Sequence, residues 1–172
     1  AATRVNSSQL IEKGRENLVL QSNQFDTYWT PNNTTLTSGQ SGYDGSSDAW
    51  LLAKNATGEA LTQSISYSNV SSYSIYVKAG TLNWVALGVG GGTFSNAYFD
   101  LSGSGALGST SNSITSKIES VGGGWYRCTI VTNKTANVIG IYPADGDGDV
   151  SGTSGNIYIQ DAQVESSLVA TP

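Results

Sequence analysis

Aromatic side chains recur at the polar positions of several predicted β-strands, where a side chain points away from the core. The other alternate positions of these strands are apolar, and successive strand residues point to opposite faces of a sheet. Exposed Trp and Tyr rings can stack on the C–H faces of sugars, while guanidinium and amide groups beside them hydrogen-bond to hydroxyls. The sequence therefore predicts a carbohydrate-binding platform, and the alternative is that these rings are buried in the core or at an interface. The platform residues would be Tyr76, Trp84, Asn96, Tyr98, Trp125 and Arg127.

Most of the usual catalytic side chains are missing or unsupported. The sequence has no histidine and no methionine, and its one cysteine, Cys128, alternates with polar residues and is expected to be a small buried side chain. A nucleophilic cysteine would need a base such as histidine. Paired carboxylates for glycoside hydrolysis would have to come from such residues as Asp26, Glu59, Asp100 and Glu119, but no spacing singles out a pair. We therefore expect a protein that is not an enzyme.

A short acidic run offers ligands for a metal ion. Asp145, Asp147 and Asp149 alternate with glycines, which places oxygen ligands at the spacing of a calcium loop. The run departs from the helix–loop–helix calcium pattern, because Val150 stands at the sixth position instead of glycine and Asn156 at the twelfth instead of glutamate. A solvated acidic turn is the alternative.

Composition narrows the range of partners. The chain has 172 residues and a formal net charge of −5. Nucleic-acid affinity depends on clusters of Lys and Arg, so we expect no nucleic-acid partner. No apolar run approaches the roughly eighteen residues that a membrane-spanning helix needs, and we expect no membrane partner.

Short alternating runs separated by Gly, Ser, Asn and Thr fill the chain from about residue 17, and no window carries a helical apolar stripe. This pattern predicts an all-β, antiparallel β-sandwich of jelly-roll type over residues 17–172. The alternation also predicts the core faces, which include Tyr73, Ile75, Val77, Val85, Leu87, Val89, Ala97, Phe99, Leu101, Tyr126, Cys128 and Ile130. The predicted strands are 17–22, 33–38, 48–54, 60–66, 72–78, 82–89, 96–101, 114–120, 124–131, 137–142 and 156–165.

Residues 1–16 differ from the rest and predict an extended N-terminal arm. Apolar side chains are sparse there, and Arg4 would favour an acidic body. Sheet edges carry unpaired backbone groups that a strand from another chain can complete. Head-to-tail insertion of the arm, with Val5, Leu10 and Ile11 as anchors, would generate an open filament. The alternative is an arm that folds back on its own domain.

Several ordered blocks resemble a known group of domains. They are Asn17-Leu18-Val19-Leu20-Gln21-Ser22-Asn23, Tyr43-Asp44-Gly45-Ser46-Ser47, Tyr76-Val77-Lys78-Ala79-Gly80, Tyr98-Phe99-Asp100-Leu101, Gly124-Trp125-Tyr126-Arg127-Cys128 and Ile159-Gln160-Asp161-Ala162-Gln163-Val164-Glu165. This series is similar to the jelly-roll domains of phage and marine-virus structural proteins, which are in turn similar to carbohydrate-binding modules of the family 4/9 type. The resemblance implies a jelly roll at an extracellular or virion surface. It also implies a structural Ca²⁺ between the first and last strands, held by Asp161 with Asp44 and Asp48 as further candidates.

Asn-x-Ser/Thr sequons are candidates for glycosylation at Asn6, Asn32, Asn33, Asn55, Asn69 and Asn133. Together these features favour a non-enzymatic structural subunit of an extracellular or virion fibre such as a phage tail, with itself as partner in a homo-oligomer or filament. The alternative function is a carbohydrate-binding module that recognises a polysaccharide through an exposed aromatic face.

Overall fold

The structure of the protein is a computed structural model that describes residues 17–67, 71–90 and 95–166 and, as backbone, the short segments 3–5 and 11–13. No described residue is in an α-helix, and no helix in these ranges could span a bilayer. Two six-stranded antiparallel sheets form the body. The strands are β1 (Thr3–Val5), β2 (Ile11–Lys13), β3 (Thr30–Asn32), β4 (Thr34–Gln40), β5 (Ala49–Lys54), β6 (Ala60–Tyr67), β7 (Ser71–Ala79), β8 (Trp84–Gly90), β9 (Ser95–Asp100), β10 (Ala106–Ser111), β11 (Thr115–Gly122), β12 (Trp125–Thr132), β13 (Ala136–Ala144) and β14 (Gly155–Glu165).

The two sheets face each other across one hydrophobic core. Sheet I has the strand order β10-β9-β8-β13-β6-β3, and sheet II has the order β11-β12-β7-β14-β5-β4. The inward-facing set of each strand meets the other sheet, as in other sandwiches. The predicted antiparallel β-sandwich is therefore confirmed, and the sheet arrangement is consistent with the predicted jelly roll.

The predicted core faces are also confirmed. Tyr73, Ile75 and Val77 of β7 and Val85 and Leu87 of β8 are fully buried. The remaining predicted core residues are all at most 3% exposed. Cys128 is a buried free thiol, and burial raises its pKa. The alternation of apolar and polar residues was sufficient to predict these core faces, because each of these strands carries an uninterrupted apolar face.

The predicted first strand, 17–22, is wrong. This segment is a series of bends and turns, with Gln21 in the left-handed region at φ 55°. Its backbone polar groups are satisfied by single hydrogen bonds rather than by a ladder. The Gln63 amide accepts from the Leu20 N–H at 3.0 Å and donates to the Leu20 carbonyl at 2.7 Å, and the Val164 carbonyl accepts from the Leu18 N–H at 2.8 Å. The segment thereby covers one end of the core, where Phe25 and Trp29 are buried with their ring centroids 5.2 Å apart.

Two strands of the body lay outside the predicted set, and both are short or exposed. β3 is a three-residue edge strand of sheet I, paired with β6. β10 forms the other edge of the same sheet and has mostly exposed side chains. Exposed edge strands lack the apolar alternation that marks a strand in sequence.

Of the predicted N-terminal arm, residues 1–16, the structure describes the backbone of β1 and β2. β1 and β2 pair antiparallel with each other, in the register Thr3↔Lys13 and Val5↔Ile11, and form a separate two-stranded sheet. Leu10 and the side chains of Arg4, Val5 and Ile11 lie outside the described residues. Insertion of these anchors into a neighbouring subunit stays a prediction.

Candidate functional site

The six residues of the predicted platform lie on two faces of the molecule rather than one. Trp84, Asn96 and Tyr98 belong to β8 and β9 of sheet I, whereas Tyr76, Trp125 and Arg127 belong to β7 and β12 of sheet II. The inner faces of the two sheets form the core, so their outer faces point in opposite directions. The prediction of a single platform was therefore wrong, and the two halves are different sites.

The outer face of sheet I carries Trp84, Asn96, Tyr98 and Tyr142. We call the patch formed by these four residues the aromatic face. Ala86 of β8 is the register partner of both Tyr98 on β9 and Tyr142 on β13. The two tyrosines therefore stand on either side of one small residue, with their strands about 10 Å apart. The gap between them is a cavity of about 180 Å³ lined by Ala86, Asn96, Tyr98, Tyr142 and Val150.

Glycine is required where the rings of this face approach the backbone. A Cβ on Gly140 would lie 2.7 Å from the ring of Tyr142, so only glycine lets that ring lie against β13. A Cβ on Gly108 of β10 would lie 2.7 Å from the Trp84 ring and 2.5 Å from a carboxylate oxygen of Asp147. The absence of a Cβ at these two positions therefore lets both rings lie low over the sheet.

One rim of the aromatic face is the 145–152 loop, and hydrogen bonds anchor it at several points. Asp145 forms an ion pair with Lys54, whose side chain is completely buried. Asp147 accepts from the backbone N–H of Ser109 at 2.6 Å and from its hydroxyl at 2.9 Å. The Val150 carbonyl accepts from the Gly58 N–H at 2.9 Å. The ion pair and these hydrogen bonds therefore fix the position of the loop beside the aromatic face.

The phenols of the aromatic face are held in their protonated form. Burial, followed by the charges of Asp147 and Asp149, raises the pKa of Tyr98. Burial and the neighbouring Tyr98 raise the pKa of Tyr142. Both hydroxyls therefore remain neutral donors and acceptors at physiological pH, beside the amide of Asn96. The face offers flat apolar rings and neutral hydrogen-bonding groups, without a cation among the lining residues.

The outer face of sheet II is arranged differently, because a loop covers it. The ring of Tyr43 stacks on that of Tyr76 with centroids 3.7 Å apart and planes 9° apart, and contacts the edge of Trp125 at 6.4 Å. Trp125 is only 3% exposed, so its predicted exposure was wrong. The sequence pattern shows on which side of its strand Trp125 lies, but not that a loop from 41–48 lies over that side.

Arg127 on this face is already engaged by protein groups. Its Nη2 donates to the hydroxyl of Ser74 at 3.1 Å and to the amide oxygen of Gln163 at 3.0 Å, and its guanidinium carbon lies 5.6 Å from the centre of the Tyr76 ring. Stacking and hydrogen bonding here occur within the protein. The Arg127 guanidinium and one face of the Tyr76 ring are therefore already occupied by protein groups.

The 41–48 loop is held in place by a buried amide. The Gln160 Oε1 accepts from the Tyr43 N–H at 3.0 Å, and its Nε2 lies 2.7 Å from Asp48, 3.2 Å from the Ser46 hydroxyl and 3.3 Å from Asp44. Asp161 accepts from the Tyr43 hydroxyl at 3.2 Å. Burial raises the pKa of Asp161. The hydrogen bond from Tyr43 lowers this pKa, and the charges of Asp48 and Asp44 raise it further.

Neither predicted calcium set converges on a single point. Across the described residues, no three His, Cys, Asp or Glu side chains come together as a metal cluster. In the first set, Asp145 and Asp147 turn to the partners described above, and Asp149 accepts from the Ser151 N–H at 2.8 Å. In the second set, the Gln160 amide nitrogen lies among the oxygens of Asp44, Ser46 and Asp48, which is a donor where a metal would need an acceptor. Calcium binding stays a prediction at both places.

The sequons lie at exposed positions where the structure describes them. Asn32, Asn33, Asn55 and Asn133 are exposed, and the amide of Asn33 already donates to Glu59 at 3.0 Å. Asn69 and Asn6 lie outside the described residues. Glycosylation therefore stays a prediction.

Two residues that matter to these faces were missed in the sequence. Tyr142 follows the alternation of β13, in which Ile139 and Ile141 are buried, so its outward direction was readable from the pattern. Tyr43 lies in a loop, and no local signal places its ring on Tyr76. Hydrogen bonds to Gln160 and Asp161, which are distant in sequence, hold it there.

No protein-family model matches the sequence, and no curated protein matches it. Among solved structures, the chain is similar to the CBM22-1–GH10 modules of the Clostridium thermocellum xylanase 10B complexed with xylohexaose, with 11% identity, a TM-score of 0.49, and coverage of 92% of this chain and 28% of that one. It is similar to the module TmCBM61 in complex with β-1,4-galactotriose, with 12% identity, a TM-score of 0.45, and coverage of 87% and 97%. It is also similar to the enzymatically active domain of tailspike protein 4 of bacteriophage CBA120, with 14% identity, a TM-score of 0.46, and coverage of 86% and 21%. The chain thus spans less than a third of the xylanase and tailspike chains. At these values the likeness carries no argument about what this chain binds, which rests on its own residues.

Proposed function

We propose that this chain is a non-catalytic carbohydrate-binding module that binds a neutral polysaccharide, outside the cell, on the aromatic face of sheet I. The single observation that carries the proposal is the cavity between Tyr98 and Tyr142, with Asn96 beside it and Ala86 as its floor. This arrangement is open to solvent, rigid and free of cations among its lining residues.

The chemistry of the aromatic face fits a sugar ring. A pyranose has an apolar C–H face and a rim of hydroxyls, and Tyr and Trp combine a flat apolar ring with a polar group. Tyr98 and Tyr142 supply ring surface and neutral hydroxyls, and Asn96 supplies both a donor and an acceptor. Trp84, two residues before Ala86 and on the same side of β8, extends the ring surface along the sheet. The three rings thus stand on three adjacent strands and form one patch of ring surface.

The rigidity of the face supports the same function. The rim loop is held by the ion pair of Asp145 and the hydrogen bonds of Asp147, so little ordering of the loop is needed on binding. Preorganisation reduces the entropic cost of association. The protonated phenols also imply binding that changes little between about pH 6 and pH 8.

The test is affinity electrophoresis and calorimetry against neutral polysaccharides, with xylan, β-1,4-galactan and mannan as the first panel. We expect retention by at least one polymer and a loss of about fivefold to thirtyfold in affinity for Tyr98→Ala and Tyr142→Ala, because each removes stacking and apolar contact worth about 1–2 kcal/mol. Tyr28→Ala is the matched control, since Tyr28 is 55% exposed and lies outside the aromatic face. Absence of binding to every neutral polymer, or an equal loss in the Tyr28 variant, would overturn the proposal.

The fibre-subunit function has no specific observation in its favour and stays a prediction. Its anchors lie outside the described side chains, and β1 and β2 pair with each other. Sedimentation of the full chain beside a chain without residues 1–16 tests it, because arm insertion requires the large species to disappear on deletion.

A further inference from the structure

The outer face of sheet II carries a second concavity, separate from the covered Tyr43–Tyr76 pair. Gln40, Ser41, Lys78 and Tyr158 line a cavity of about 240 Å³. Lys78 of β7 is the register partner of Tyr158 on β14, and both lie on the outer side of their strands because Val77, Ile157 and Ile159 are buried. We call this cavity the lysine pocket.

The ammonium of Lys78 is available to a ligand. Within the part of the chain that the structure describes, Lys54 pairs with Asp145 and Lys117 with Glu119, whereas Lys78 has no carboxylate and no hydrogen-bond acceptor. Its stem lies beside Gly124, with a Cβ position there 3.6 Å from the Lys78 Cε. The stem therefore packs against the backbone of the turn between β11 and β12, and Lys78 is also one of the residues that line the cavity.

The other lining groups complement an anion that also carries hydroxyls. Tyr158 and Ser41 supply hydroxyls, Gln40 supplies an amide, and none of the lining residues is acidic. The nearby carboxylates of Asp44, Asp48 and Asp161 are held by Ser46, Gln160 and Tyr43 instead of by Lys78. A cation beside a partly exposed phenol ring matches a sugar that bears a carboxylate.

We propose that the lysine pocket binds a uronic acid residue of an acidic polysaccharide, with Lys78 contacting its carboxylate and Tyr158 its ring. The inference goes beyond the neutral-glycan function, because it uses other residues on the opposite face. A polysaccharide is favoured over an acidic peptide, because Gln40, Ser41 and Tyr158 line the pocket with amide and hydroxyl groups that match sugar hydroxyls and with a ring on which a sugar can stack.

The experiment measures binding of the full chain to polygalacturonate and to the same polymer after its carboxylates are reduced to alcohols. We expect binding to polygalacturonate that weakens as salt rises from about 20 to about 300 mM, because the Debye length falls from about 20 Å to about 6 Å. We expect little binding to the reduced polymer. Lys78→Gln should weaken binding by about tenfold, as loss of a hydrogen-bonded charge commonly does, while Lys78→Arg retains most of it.

Lys117→Gln is the matched control, because it changes the net charge equally and removes only an ion pair on side chains that are 65% and 51% exposed. Equal losses in the Lys78→Gln and Lys117→Gln variants would overturn the assignment, as would equal binding of the reduced polymer. Tighter Lys78-dependent binding of dextran sulfate would assign the pocket to sulfate esters instead, and equal Lys78-dependent binding of polyglutamate would assign it to peptides. The panel of neutral polysaccharides tests the aromatic face separately. Binding to a neutral polysaccharide without binding to polygalacturonate would overturn this inference alone. Binding to polygalacturonate without binding to any neutral polysaccharide would overturn only the proposed function.

Discussion

The two outer faces of the sandwich begin from the same sequence pattern and end as different surfaces. On sheet I, small residues lie between aromatic ones, so that Ala86 and Gly140 leave the rings of Tyr98 and Tyr142 open to solvent. On sheet II, a loop places Tyr43 on Tyr76 and buries Trp125. An aromatic residue on the polar side of a strand is therefore only a potential binding group. Whether it can bind depends on what the rest of the chain lays over it.

The largest effect on stability is expected from the loss of the ion pair between Lys54 and Asp145, which supports the aromatic face but not the outer face of sheet II. Asp145→Ala leaves the Lys54 ammonium, which is completely buried, without its counter-charge, and should lower the free energy of unfolding by about 3–5 kcal/mol. Urea unfolding measures this. The double variant Lys54→Met/Asp145→Leu should lose much less, because it leaves no buried charge. Equal losses in both variants would show that the ion pair is not what the rim loop depends on.

Glycine substitutions should separate the two faces. Gly140→Ala forces the Tyr142 ring away from β13, and Gly42→Ala brings a Cβ within 2.4 Å of the Gln160 amide oxygen, which holds the 41–48 loop. Each should cost about 1–3 kcal/mol in thermal or urea unfolding. Only Gly140→Ala should also weaken binding to a neutral polysaccharide. If both variants weaken that binding equally, the faces are not independent.

Removal of the covering ring should make the sheet II face resemble the aromatic face. Tyr43→Ala deletes the stacked partner of Tyr76 and exposes Trp125, at a cost of about 1–2 kcal/mol. We expect a red-shifted tryptophan emission and stronger quenching by acrylamide. The control is Tyr28→Ala, which should leave both unchanged. An unshifted spectrum in a folded Tyr43→Ala variant would mean that other groups bury Trp125.

The smallest effect is expected at Asp161, next to the covering loop. The folded-state pKa of this carboxyl is raised by burial and by Asp48 and Asp44, so its protonated form is favoured by folding and its ionised form is disfavoured. Its contribution to stability is thus full below the unfolded pKa of about 4 and is lost as pH rises through the folded value. Asp161→Asn should raise the Tm by about 1 °C at pH 7, and the gain should vanish near pH 3. Asn also tolerates the φ of 49° at this position. A gain that persists at pH 3 would contradict this explanation.

Much of the fold was predictable because it depends on local periodicity. The buried sets of β7, β8, β9 and β12 follow directly from alternation, as does the burial of Cys128. The errors lie where periodicity is weak. The predicted strand 17–22 has three consecutive apolar residues but is held by Gln63 and Val164 rather than by a ladder, and β3 and β10 are edge strands with little apolar content.

The candidate site was predictable only in its chemistry. The types and directions of Trp84, Asn96 and Tyr98 could be inferred from their strands, and the same reasoning extends to Tyr142. Their separation from Tyr76, Trp125 and Arg127 could not, because a period of two assigns a side chain to a face of its own strand and says nothing of which sheet that strand joins.

The sequence by itself determined an antiparallel sandwich, its core residues and a supply of outward aromatic side chains, since these depend on alternation along single strands. Tertiary structure alone decided that β8, β9 and β13 lie together in one sheet, that β7, β12 and β14 lie together in the other, and that Tyr43 covers Trp125. These outcomes depend on pairings between residues far apart in the chain. Their free energy comes from long-range backbone ladders and loop hydrogen bonds, which no local pattern records.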